Sequence, residues 1–159
     1  MKKVCTVFVV LCLAACSSAG KLSEAKRINP QGTEFQKTLY SEYVAMAEKE
    51  QAAGDYEDTA FYVDRALISG AGKRIEPYSV DENGLPTSTV PMFKKARTRL
   101  NDAFSSGARK QTPYKAAKAQ AAYDCWLEEV SDNNGMTKRA EVCRDRFRAN
   151  ISEIEEMIQ

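Results

Sequence analysis

The chain has 159 residues, 23 Lys and Arg against 22 Asp and Glu, a formal charge of +1 and no histidine. Interleaved, near-neutral charge lacks the basic footprint of a nucleic-acid binder, so no nucleic-acid partner is expected. Without histidine the usual zinc and copper ligand and every Ser-His or Cys-His nucleophile are missing, so no metal, no cofactor and no enzymatic activity are expected.

Lys2 and Lys3 precede an apolar run from Val4 that ends in Leu13-Ala14-Ala15-Cys16, the layout of a secretory signal. The run falls well short of the roughly 20 apolar residues needed to cross hydrocarbon, so residues 1–15 are expected to be a leader that is removed. Leu-Ala-Ala-Cys resembles the lipobox of bacterial lipoproteins. That resemblance implies a diacylglyceryl thioether on Cys16, cleavage before it and acylation of the new amino terminus. Cys5 and Cys12 leave with the leader, so Cys125 and Cys143 remain as one pair, most simply a disulfide in an oxidising compartment.

Residues 17–32 are mostly Ser, Ala, Gly, Lys, Asn and Pro without apolar periodicity. They are expected to form a flexible tether with an r.m.s. span of roughly 20–24 Å. The chain thus divides into leader (1–15), lipidated cysteine and tether (16–32) and one helical domain (33–159).

The first helix is expected over 33–53, with Phe35, Leu39, Tyr43 and Met46 on one stripe. A second, over 56–69, turns Tyr56, Ala60, Val63 and Leu67 inward and is capped by Asp55. The two form an antiparallel hairpin. The run from Gly54-Asp55-Tyr56 to Ala66-Leu67, with Tyr43, Met46 and Ala47 upstream, resembles a tetratricopeptide (TPR) repeat. Glu50 departs from that family's aromatic and Thr59 from its alanine. No second copy follows at a spacing of about 34 residues, so no solenoid is expected and the hairpin serves packing more often than peptide binding.

Gly70, Gly72, Pro77, Asn83-Gly84 and Pro86 punctuate the next interval, which is long for a compact domain and is either a mobile surface loop or functional. Asp81-Glu82-Asn83-Gly84 lacks the alternating ligands of a calcium loop and reads as a turn. The third helix begins at Thr89-Val90-Pro91, with Phe93, Ala96, Leu100, Ala103 and Phe104 inward, and ends at Gly107. Its Lys94, Lys95, Arg97 and Arg99 form either solvated surface or a contact with lipid headgroups or an acidic partner.

A fourth helix is expected over 112–130, capped by Thr112 and alanine-rich at first so that a neighbour can approach closely. A fifth, over 137–158, carries the stripe Ala140, Cys143, Phe147, Ile151, Ile154 and Ile158. Asn134 lies midway between Cys125 and Cys143, so an antiparallel turn there sets both sulfurs at one height. A disulfide is expected, worth roughly 3 kcal/mol for a loop of about 18 residues. A redox-active pair is disfavoured, because Cys-x-x-Cys spacing and an activating histidine are both lacking. Trp126 is expected in the core beside the bridge, with a partner for its ring nitrogen.

Together the lipobox, the Gly54-Asp55-Tyr56 hairpin and Tyr123-Asp124-Cys125-Trp126-Leu127-Glu128 with Cys143-Arg144 resemble the amino-terminal helical region of OmpA-family outer-membrane lipoproteins of Gram-negative bacteria. The resemblance implies the outer membrane, since Ser17 stands where an aspartate signals inner-membrane retention. That family's peptidoglycan-binding domain has no counterpart among these residues, so direct peptidoglycan binding is not expected. The expected architecture is all-α, a bundle of about five helices including the TPR-like hairpin and one interhelical disulfide. The expected function is a structural or adaptor module of the cell envelope, with the membrane as anchor and another envelope protein as partner. The alternative is a peptide- or glycan-binding module using the hairpin, the 72–88 loop and Tyr62, Tyr78 and Tyr114 as exposed aromatics. An enzyme would need a carboxylate pair or a lysine, and acids such as Glu128-Glu129 and Glu155-Glu156 are adjacent along helices, so their members diverge.

Overall fold

The computed structural model describes residues 20–80 and 84–158. Cys16, the leader and the Asp81-Glu82-Asn83 part of the expected turn lie outside the described residues. A helical segment over 20–25 is followed by α1 (Glu34–Ala53), α2 (Tyr56–Gly70), α3 (Val90–Ser105), α4 (Ala108–Gln111), α5 (Pro113–Asp132) and α6 (Lys138–Met157). This is the all-α bundle expected, with two short extra pieces, the segment over 20–25 and α4. Among the described residues no helix is long and apolar enough to cross a membrane.

Local sequence accounts for most helix ends. Thr33 and Gln36 close a capping box at the start of α1, and Gly54, at φ 82°, ends it in the left-handed region that glycine enters without steric cost. Asp55 caps α2 by accepting from the Asp58 amide at 3.1 Å. Thr137 caps α6 by accepting from the Ala140 amide at 3.0 Å. The expected threonine caps at 89 and 112 do not form. Their hydroxyls donate backward instead, to the carbonyls of Pro86 at 2.7 Å and Ala108 at 3.2 Å, because each sits directly after a turn that presents a carbonyl to it.

α1 packs along α2 and α5 along α6, and α1 joins the two hairpins by lying on α5. α3 and α4 pack over the remaining side of α5. Every residue of α5 from Ala119 to Val130 is buried, as befits a helix with neighbours on all sides, and its alanines allow that close approach. Phe93, Tyr123, Trp126 and Phe147 fill the space between α3, α5 and α6, with the Phe93 and Trp126 centroids 4.5 Å apart. Trp126 Nε1 donates to Met136 Sδ at 3.5 Å, which supplies the expected partner. Cys125 and Cys143 are bonded, with Cα atoms 5.8 Å apart.

Two expectations are corrected. Residues 20–32 are not a free coil: Leu22 is 2% exposed and Ala25 fully buried, the Tyr40 hydroxyl donates to the Ala25 carbonyl at 2.6 Å, and the Gln31 amide donates to the Gly70 carbonyl at 2.8 Å. Leu22, Ala25 and Ile28 recur every third residue, too briefly to stand out, but enough to dock one turn. Gly70 makes room for it, since a Cβ there would lie 2.7 Å from Ile28 Cδ1. Leu22→Ala is expected to cost about 2 kcal/mol by leaving a cavity beneath the segment. Thermal unfolding checks this, and an unchanged Tm would mean that the segment adds nothing to the core.

The second correction concerns α2. Its buried face is Asp58, Thr59, Tyr62, Val63, Ala66, Ser69 and Gly70, while Tyr56, Ala60 and Leu67 are only half-buried. Polar residues on the inward face hid the true stripe from hydrophobic periodicity.

Candidate functional site

Asp124, fully buried on α5, organises the middle of the molecule. Its Oδ2 accepts from the Tyr43 hydroxyl at 2.5 Å and from Arg65 Nη2 at 2.6 Å, and its Oδ1 accepts from the Tyr78 amide at 2.8 Å. Arg65 also donates to the Glu76 carbonyl at 2.9 Å, Gln120 Nε2 to that of Ile75 at 3.1 Å and the Tyr123 hydroxyl to that of Tyr78 at 3.3 Å. The first part of the long connection, 71–80, is therefore strapped to α2 and α5. Burial pushes the Asp124 carboxyl up, against the pull of Arg65, the Tyr43 hydroxyl and the Tyr78 amide. Burial works against the Arg65 charge too, but Asp124 and Tyr43 hold its pKa above the usual guanidinium value. With all its groups turned inward, this network is a structural strap.

The three tyrosines do not meet in one pocket. Tyr62 is buried beside Tyr43, which removes it from any surface. It could not be excluded from sequence, because α2 was rotated by about one residue in that reading. Tyr78 is half-buried against Phe61 at 4.8 Å, and Tyr114 is 57% exposed with the Lys118 ammonium 5.6 Å from its ring centre.

The basic face of α3 is only partly what its spacing suggested. Lys94 and Lys95 are exposed. Arg99 instead pairs with Glu155 on α6, at 2.8 and 2.5 Å, and Arg97 folds toward the Pro77 carbonyl at 3.4 Å. Arg97 joins Arg74, Arg109 and Lys110 around an open basin of about 710 Å³ whose one carboxylate among the described residues is Glu76. Arg109 pairs with Glu76 at 2.9 Å and stacks 3.8 Å from the Phe104 ring centre, so its charge is held in place by packing. The Nε atoms of Arg97 and Arg109 are buried without partners. The cations that line the basin suit a ligand that carries negative charge and acceptor oxygens. Sequence reasoning found Arg97 and missed Arg74, Arg109 and Lys110, which no shared periodicity links.

A second basin, of about 610 Å³, opens where the start of α2 meets the end of α5 and the start of α6. Asp55, Glu57, Asp58, Glu129 and Asp132 line it, beside Asn133, Thr137, Lys138 and Arg139. Burial, then Asp132, Asp55 and Glu128, push the Asp58 carboxyl up to about 8, and burial and Asp132 push Glu128 up to about 7. Glu50, the residue that departs from the TPR pattern, is buried and pairs with Arg139, which also meets Glu129 Oε1 at 2.7 Å. Arg139 thus ties Glu50 of α1 to Glu129 of α5. Oxygens from Asp55, Asp58 and Asp132 all lie within 4.8 Å of one another, a donor set that suits a hard cation and that the absence of histidine does not exclude.

A smaller groove of about 340 Å³ is lined by both cysteines of the disulfide, with Met46 and Val142. No family model, no curated protein and no solved structure matches this chain.

Proposed function

We propose that the chain is an outer-membrane-anchored periplasmic lipoprotein, held by lipid on Cys16, that acts as an adaptor of the cell envelope in the manner of OmpA-family helical regions. The basic basin carries the adaptor reading: among the described residues, Arg74, Arg97, Arg109 and Lys110 line it against the single carboxylate of Glu76. An acidic segment of another envelope protein supplies the matching charge and acceptors. The disulfide supports an oxidising compartment, and the leader with its lipobox supports the anchor. The peptide- or glycan-binding alternative loses its aromatic floor with Tyr62 buried.

Cells carrying a photo-crosslinking residue at Asn101, on the basin wall, test the adaptor role. A protein adduct is expected that disappears in Arg74→Glu/Lys110→Glu, whose fold is preserved because Arg74 is largely exposed. An adduct insensitive to charge reversal, or lipid adducts alone, count against an acidic protein partner. Cys16→Ala should release the protein from the outer-membrane fraction; continued sedimentation there would remove the lipid anchor.

A further inference from the structure

We propose that Asp55, Asp58 and Asp132 form a calcium site that clamps the first hairpin to the second. The three carboxylates converge from the start of α2 and the end of α5, with oxygens within 4.8 Å of one another. Asp58 is 5% exposed, its carboxyl is one of the three that converge, and its Oδ1 is buried without a partner. A buried carboxylate oxygen left without a donor costs free energy, and a cation among these carboxylates removes that cost.

The neighbouring cations are engaged elsewhere. Arg139 serves Glu50 and Glu129, and Lys138 meets Glu141 at 3.2 Å. Glu57 on the basin wall deepens the negative field. The α5 carboxyl terminus, at Asp132, adds partial negative charge of its own, while the α2 amino terminus, at Asp55, offsets part of it.

The chemistry selects the ion. An all-oxygen donor set favours calcium or magnesium over softer metals. Calcium takes about 6–8 oxygens in a flexible shell, whereas magnesium demands a near-ideal octahedron and gives up its waters reluctantly, so carboxylates gathered from two helix ends suit calcium better. Asn133 and Thr137 in the same basin offer neutral oxygens, and water completes the shell.

The test uses the full chain, stripped with a chelator and titrated with calcium or magnesium chloride while its thermal unfolding and heat of binding are followed. Calcium at about ten times its dissociation constant should raise Tm by about 3–8 °C. Magnesium at equal concentration should bind at least about tenfold more weakly. Asp55→Asn keeps the helix cap, because Asn caps as well as Asp, so the fold survives while a ligand charge is lost. Calcium affinity should fall at least about tenfold in this variant and in Asp132→Asn, and the latter, relieved of like-charge repulsion, should match or exceed the metal-free parent in Tm. A parent whose Tm and heat signal do not respond to calcium overturns the site. A response undiminished in Asp55→Asn and Asp132→Asn overturns it equally.

Discussion

Arg65→Met should destabilise the protein by about 3–5 kcal/mol, the largest effect expected of any single substitution here, because it strands a fully buried carboxylate. Arg65 is 11% exposed and Asp124 0%, and the guanidinium also sits 5.1 Å from the Tyr43 ring centre and 5.4 Å from that of Phe61. Methionine reproduces the stem and the packing on those rings but not the charge. Asp124 is then left with the Tyr43 hydroxyl and the Tyr78 amide, and the 71–80 strap loses the donor to the Glu76 carbonyl. Replacing both partners, Arg65→Met with Asp124→Leu, should recover part of the loss, since two apolar groups carry no uncompensated charge. Recovery stays incomplete because the Tyr43 hydroxyl and Tyr78 amide lose their acceptor. Urea unfolding of the parent, both single variants and the double variant measures the coupling. A single Arg65→Met variant within about 1 kcal/mol of the parent would show that solvent reaches Asp124 and that the network carries little.

Reduction of the disulfide, or its replacement in Cys125→Ala/Cys143→Ala, should cost about 3 kcal/mol, equivalent to a fall in Tm of about 6–12 °C. The bond closes a loop of 18 residues, and its main action is on the unfolded chain, whose ends are released when it is cut. The α5–α6 hairpin itself should persist, because Trp126, Phe147, Ile151 and Ile154 remain buried across it. A loss of this size is a large share of the margin of a small domain, so the reduced protein is expected to unfold and be degraded far more readily than the oxidised one. Calorimetry with and without reductant checks it. Equal Tm values would mean that the bridge is dispensable and would withdraw the main structural support for an oxidising compartment.

Both predictions concern contacts of unequal legibility. The disulfide was readable because a hairpin turning at Asn134 equalises the heights of Cys125 and Cys143, which is arithmetic on one local unit. The helices were readable for a similar reason: the stripes Phe35-Leu39-Tyr43-Met46 and Ala140-Cys143-Phe147-Ile151-Ile154 repeat at the helical period over several turns, and those residues are buried as expected. The segment at 20–25 offered less than two turns of the same signal and was read as coil. Tyr62 was placed outside because Thr59, Asp58 and Ser69 share its inward face and are polar, so hydrophobicity pointed to a stripe one residue away.

The candidate sites were beyond such reading. Asp55 and Asp58 belong to one helix start and Asp132 to the end of another, and nothing in local periodicity says that these ends adjoin. The same holds for Arg74, Arg97, Arg109 and Lys110, which come from a loop and two helices.

The linear chain, through short-range backbone preferences and the period of its apolar residues, determined that this is a helical protein, where its five long helices begin and end to within a turn, and which two sulfurs meet. Only the tertiary structure decided which carboxylates and which guanidinium groups lose water together. Burial and charge density depend on the arrangement of whole elements, and that arrangement is set by the packing of side chains distant in sequence.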